Sequence, residues 1–245
     1  MTTNLTSEPA SPAQQASIWE DFVDIYTSPS SVFERRRDGR FGPALIVFTV
    51  AIGVLTWFWM DAMEPALSAQ FAQAMQQARA ANPNITEEQL SSMQGMMMTV
   101  GKFTALITVP FVVLLTGFAV WLIGKLFDAS VTFAVGLTIA AYAQAPRVLK
   151  QAVETVQALF VDPSRLDTVF RVSLSPARFF GPPETSLGAL AIMSRFDLFV
   201  IWMTVLIGIG VYVTARTTKR DAALVALIIW LVGGLSSFLA LARQG

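Results

Sequence analysis

The sequence contains no cysteine and no histidine. The first absence excludes disulfides and thiolate nucleophiles, the second an imidazole base, and together they exclude metal sites built from Cys and His. Charge is scarce as well. Only 14% of the 245 residues are Asp, Glu, Lys or Arg, against about 25% in a soluble globular chain. Acidic and basic residues balance at 17 each, so no basic surplus points to nucleic acid. Glu87 and Glu88 are adjacent, as in intramembrane proteases that pair a Glu-Glu motif with histidines. With no histidine to work with, they read as acids favoured in the first turn of a helix. Met93, Met96, Met97 and Met98 carry thioethers that can bind Cu(I), but without His or Cys ligands they read as flexible packing. No catalytic set, metal site or cofactor site emerges. The tail ahead of the first apolar run has no basic segment of the kind that opens a signal peptide.

Hydrophobic residues make up 54% of the chain, and mean hydropathy is +0.56. They gather into five apolar runs, which predict an all-α polytopic membrane protein with five transmembrane helices, at 42–60, 103–124, 131–147, 197–215 and 222–242. Residues 1–17 read as a disordered tail, 18–40 as cytoplasmic interfacial helices, and 41–245 as the membrane domain. Arg216, Lys219 and Arg220 join the last two runs and mark the cytoplasmic side. The third run holds only about 15 strongly apolar residues, fewer than the usual 17 to 25. A re-entrant segment there would put the basic turn outside, so a span continuing past Pro146 is the expectation. This topology places the N-terminus in the cytoplasm and the C-terminus outside. Trp57 and Trp59 suit an outer aromatic belt, Pro110 predicts a kink, and Gly233, Gly234, Ser236 and Ser237 offer a small surface for close helix contact.

The external segments also look helical. Leu67, Phe71, Met75 and Ala78 recur at helical spacing, and Thr86 with Gln89 forms a capping-box pattern ahead of a helix that runs into the second span. Residues 164–195 are broken by Pro176, Gly181, Pro182 and Pro183, and their aromatics predict short helices folded back on the outer face.

Two sets of residues are candidate sites. Ile18, Trp19, Phe22, Val23 and Tyr26 fall on one face of a short helix, with Glu20, Asp21 and Asp24 opposite. Ser28 and Pro29 open a second helix, and Arg35, Arg36, Arg37 and Arg40 follow. Trp19, Phe22, Tyr26, Arg35, Arg36 and Arg37 therefore form a candidate interaction surface for lipid headgroups or a protein. Tyr142, Gln144 and Pro146 close the third run and Asp197 opens the fourth, giving a candidate intramembrane polar site.

Four stretches, in this order, resemble the bacterial branch of the Yip (Ypt-interacting protein) family of five-span membrane proteins. They are 24–29 (DIYTSP) with Val32-Phe33; 142–146 (YAQAP); 197–202 (DLFVIW) with Gly208 and Gly210; and the basic turn leading to Ala222, with Trp230 behind it. The resemblance implies an all-α membrane domain with a cytoplasmic N-terminal region and no known catalytic residues. The functional expectation is a non-enzymatic scaffold in a bacterial inner membrane, binding lipids, a membrane or peripheral protein, or a second copy of itself. The alternative is uncoupled lipid or small-molecule transport through a polar groove between spans, with Tyr142, Gln144, Thr104, Thr108 and Thr116 as its lining.

Overall fold

A computed structural model describes residues 18–181 and 184–242; the tail at 1–17 lies outside the described residues. The chain is an all-α polytopic membrane protein, with no strand among the described residues. α1 (Ile18–Thr27) and α2 (Pro29–Arg35) form a hairpin. Ser28 precedes Pro29 but makes no side-chain cap; its N–H donates to Asp24 O at 2.6 Å. α3 (Gly42–Ala62) and α5 (Glu87–Lys125) are each long and apolar enough to cross a membrane. Between them α4 (Glu64–Ala81) returns along the N-terminal part of α5, tied to it by an Arg79–Glu87 ion pair and a Gln94–Ser68 bond of 3.2 Å. The capping box at Thr86 and Gln89 forms, and the α5 helix runs on unbroken through Pro110. At about 58 Å, α5 is nearly twice the thickness of a hydrocarbon core.

α6 (Phe133–Tyr142) is where the expected third span takes an unexpected form. It has only ten residues, about 15 Å of rise, or half a crossing. Every residue from Val135 to Tyr142 is buried, as befits a helix apolar all round and enclosed by neighbours. Glycines allow that enclosure. A Cβ on Gly136 would lie 2.6 Å from the Gly117 carbonyl oxygen, and one on Gly117 would lie 2.9 Å from Leu137 Cα. α5 and α6 thus meet backbone to backbone, a contact only small residues permit. After Ala143 and Gln144 the chain resumes as α7 (Ala145–Phe160), with Pro146 buried in its first turn.

Residues 163–179 contain three short 3-10 helices, followed by α8 (Leu187–Met193), so the proline-broken stretch does fold into short helical pieces. α8 and the turn to Phe196 bend by 51° into α9 (Leu198–Thr214); taken together they are long and apolar enough for a third crossing. α10 (Lys219–Gly233) follows the basic turn and is capped by Thr218. The expected single helix over 222–242 is instead two. α10 ends at Gly233, and after Gly234 a separate helix, α11 (Leu235–Ala242), packs against α8.

Helices α3, α5, α6, α9 and α10 share one hydrophobic core, into which the α1–α2 hairpin also inserts Ile25, Val32 and Phe33, all fully buried. The sequence reading lays this hairpin flat on the membrane surface; its contacts instead set it lengthwise against α9. Arg37 Nη2 donates to Val213 O at 2.7 Å near the end of α9, while the Tyr26 ring meets Trp202 one turn from its start. Those two points are about 16 Å apart along the helix axis.

Candidate functional site

The residues singled out in the sequence fall into three separate polar arrangements. The first joins the hairpin to the end of α6. Asp21, wholly buried, lies at its centre. Its Oδ1 accepts from Arg35 Nε at 3.1 Å and Nη2 at 2.7 Å; its Oδ2 accepts from Arg36 Nε at 2.5 Å and the Tyr142 hydroxyl at 2.9 Å. Arg35 also reaches Asp24 at 2.7 Å. A buried carboxylate is tolerated only when paired and fully hydrogen-bonded, and here four donors meet it. One turn on, the Tyr26 hydroxyl donates to Ala145 O at 2.8 Å. Burial pushes its pKa up to about 12, so the phenol stays protonated and able to donate. An aromatic cluster surrounds the charges: Phe22 stacks on Phe48 at 5.5 Å, and Phe33 and Phe48 both meet the Tyr142 ring edge-on, near 6 Å.

This arrangement rotates the inward face of α1. The face expected to be apolar ran through Trp19, Phe22, Val23 and Tyr26. The inward stripe is Asp21, Phe22, Ile25 and Tyr26, with Asp21 and Ile25 fully buried and the two rings half-buried, while Trp19 is 72% exposed and Val23 60% exposed. Of the candidate interaction surface, then, Phe22, Tyr26, Arg35, Arg36 and Arg37 are engaged by the chain's own hairpin and bundle, and Trp19 stays outside. Asp21 was read as a polar-face residue and missed as a centre. A signal for it existed: it stands three residues after Ile18 and four before Ile25, a helical spacing that puts it on the same face as both.

The second arrangement centres on Asp197. It is fully buried and caps α9, accepting from Phe199 N at 2.9 Å. Its other oxygen accepts from Lys150 Nζ at 2.7 Å and Leu174 N at 3.1 Å, and Lys150 also reaches Glu154 at 2.8 Å. Asp197 thereby ties α7, the 3-10 segment and α9 together. Its valences are taken, and it belongs to no common site with Tyr142 or Gln144. Lys150 and Glu154 lie in an ordinary amphipathic helix pattern, and nothing in their spacing announces this role.

The third arrangement is a cavity of about 440 Å³ between α5, α9 and α10, at the break between α6 and α7. Gln144 lines it and is 99% buried. Its Nε2 makes a long 3.4 Å bond to Ala140 O, and its Oε1 has no hydrogen-bond partner among the described residues. Arg195 lines the cavity too, and sequence reasoning passed over it. Its Nη2 donates to Trp230 O at 2.5 Å, Trp230 Nε1 donates back to Arg195 O at 3.2 Å, and the guanidinium faces the Trp230 ring at 5.3 Å. It thus caps the last carbonyls of α10. Its Nε is buried without a partner, and no carboxylate pairs with it among the described residues. The small residues expected to serve close helix contact make room for it: a Cβ on Gly234 would lie 3.2 Å from Arg195 Nε.

Of the groove residues expected with Gln144, only Thr116 shares its cavity. Tyr142 turns to Asp21, and Thr104 bonds back to Val100 O at 2.9 Å. Among the described residues no cluster of three or more Asp or Glu could hold a metal ion.

The motif stretches converge. Tyr26 meets Ala145 and Trp202, Phe33 lies against Tyr142 and Gly210, and Gly208 faces Ala226 beyond the basic turn. Comparison with curated proteins and with solved structures yields no match. The Yip1 domain family model, however, matches residues 23–241, from the hairpin to α11. On that match, across nearly all of a helical membrane bundle, the chain belongs to the Yip1 domain family.

Proposed function

We propose that the protein is a non-enzymatic membrane scaffold that holds its N-terminal hairpin against the bundle and presents the outward edge of α1 to a membrane or peripheral protein. The observation that carries this reading is the split personality of α1. Asp21, Phe22, Ile25 and Tyr26 fix the helix from within, while Trp19 and Val23 stand four residues apart and exposed on its outer edge. Residues at that spacing are neighbours on a helix surface, and an exposed Trp on a fixed support is the kind of anchor that interfaces use. Membership of a family not known as enzymatic fits this reading.

The proposed setting is a bacterial inner membrane, with the N-terminus in the cytoplasm and the C-terminus outside. Two basic clusters support that orientation by lying at one end of the bundle. Arg37 bonds near the end of α9, and Arg216, Lys219 and Arg220 follow directly. Ser130 N, in the turn after α5, donates to Ala215 O at 3.3 Å, which brings Lys125 to the same end.

The test is purification of the full chain in native-lipid particles, as wild type and as Trp19→Asp, with quantification of co-purifying protein. A stoichiometric partner, or a second copy, retained by the wild type and lost from a Trp19→Asp variant of unchanged thermal stability is the expected result. Identical retention by both would remove α1 from the interface.

A further inference from the structure

Two residues that line the cavity between α5, α9 and α10 each carry a buried polar atom, and the needs of the two atoms are complementary and unmet among the described residues. Arg195 Nε is a donor without an acceptor; Gln144 Oε1 is an acceptor without a donor. Each costs stability while it stays unpaired. They cannot be explained as partners of a neighbouring element, because the other arrangements close on themselves. Asp21 and Asp197 have donors enough, and among the described residues no third carboxylate pairs with Arg195. Apart from Trp230, Gly233 and the hydroxyls of Thr116 and Thr204, the rest of the wall is aliphatic, mostly from α5, α9 and α10. A space of about 440 Å³ falls within the roughly 300–1,000 Å³ of ligand pockets.

We infer that this cavity binds an anionic phospholipid whose headgroup carries a hydroxyl, such as phosphatidylglycerol. Its phosphate oxygens accept from Arg195, a headgroup hydroxyl donates to Gln144, and an acyl chain lies along the aliphatic wall. Arginine suits the phosphate because its planar fork presents several donors at once. Its bond to Trp230 O occupies one nitrogen, and Nε has no acceptor among the described residues. Lipid binding here would also link α9 to α10 across the one place where the last helix breaks, at Gly234. The inference does not depend on the partner proposed for α1.

The test uses the full chain, stripped of lipid in detergent and examined by native mass spectrometry. Phosphatidylglycerol, phosphatidylcholine and inorganic phosphate are titrated separately, then phosphate against bound phosphatidylglycerol. The expected result is one phosphatidylglycerol per chain, bound at least about tenfold more tightly than phosphatidylcholine, with phosphate unable to displace it. Arg195→Gln removes the charged hydrogen bonds and lowers the affinity about tenfold or more. Since Arg195 also caps α10, a second variant guards against misfolding: Thr116→Phe fills the cavity from α5, leaves Arg195 intact, and abolishes retention. Equal binding of the two lipids, or wild-type retention by either variant, overturns the proposal. Displacement of the lipid by phosphate overturns it too, by making the site one for a free anion.

Discussion

Tyr142 ends α6 and Gln144, two residues on, lies in the break before α7, and their polar groups meet opposite fates. The Tyr142 hydroxyl enters a closed set in which Asp21 receives four donors and Tyr26 fastens the next carbonyl, Ala145 O. The Gln144 carbonyl, equally buried, receives nothing and faces a cavity. The difference separates a polar group that builds the fold from one that is available to a ligand. Complete pairing holds the hairpin against the bundle; incomplete pairing leaves room for a molecule that supplies what is missing.

That comparison breaks most severely at Asp21. Asp21→Ala leaves Arg35, Arg36 and Tyr142 without their shared acceptor. Removing one member of a buried charged set costs about 3 kcal/mol or more. The expected outcome is a marked fall in thermal stability together with fast hydrogen exchange over 18–40 and little change in α5, since the hairpin is released while the bundle stands.

A smaller loss follows from separating α5 and α6, which positions both Tyr142 and Gln144. Gly136→Ala sets a methyl 2.6 Å from the Gly117 carbonyl oxygen, so the two backbones must move apart. Overpacking of this kind costs about 1–3 kcal/mol, and a scanning calorimetry endotherm shifted to lower temperature is the expected reading. Tyr142→Phe is gentler still. It deletes one hydrogen bond and leaves Asp21 with both arginines, so about 1 kcal/mol is lost in chemical denaturation, with the hairpin still protected.

The architecture was legible where the signal was periodic and long. The capping box at Thr86 and Gln89, the unbroken helix behind it and the basic turn before α10 are all present at the expected positions, because each rests on local chemistry. Less legible were the things that tertiary packing decides. α6 carries the composition of a span but the length of half of one, since its neighbours bury it on every side and the chain can break at Ala143 and Gln144 without exposing apolar surface. The α1 face turned inward is not the most apolar one available: Arg35 at the end of α2, Arg36 just after it and a tyrosine from α6, distant in sequence, make a buried aspartate favourable. Arg195 escaped notice because a lone arginine ahead of an apolar run reads as a boundary marker. Its partner, Trp230 O, lies 35 residues away in the last turn of α10.

One measurement tests the contrast directly: the thermal unfolding midpoints of Asp21→Ala and Gln144→Leu in the same lipid-free detergent. Leucine nearly conserves the volume of glutamine and removes its orphaned acceptor, an unmet group that costs about 1–3 kcal/mol. The account predicts a sharply lowered midpoint for Asp21→Ala and an unchanged or raised one for Gln144→Leu. A Gln144→Leu midpoint lowered as far as that of Asp21→Ala would contradict it, and would make Gln144 another structural fastening of the bundle.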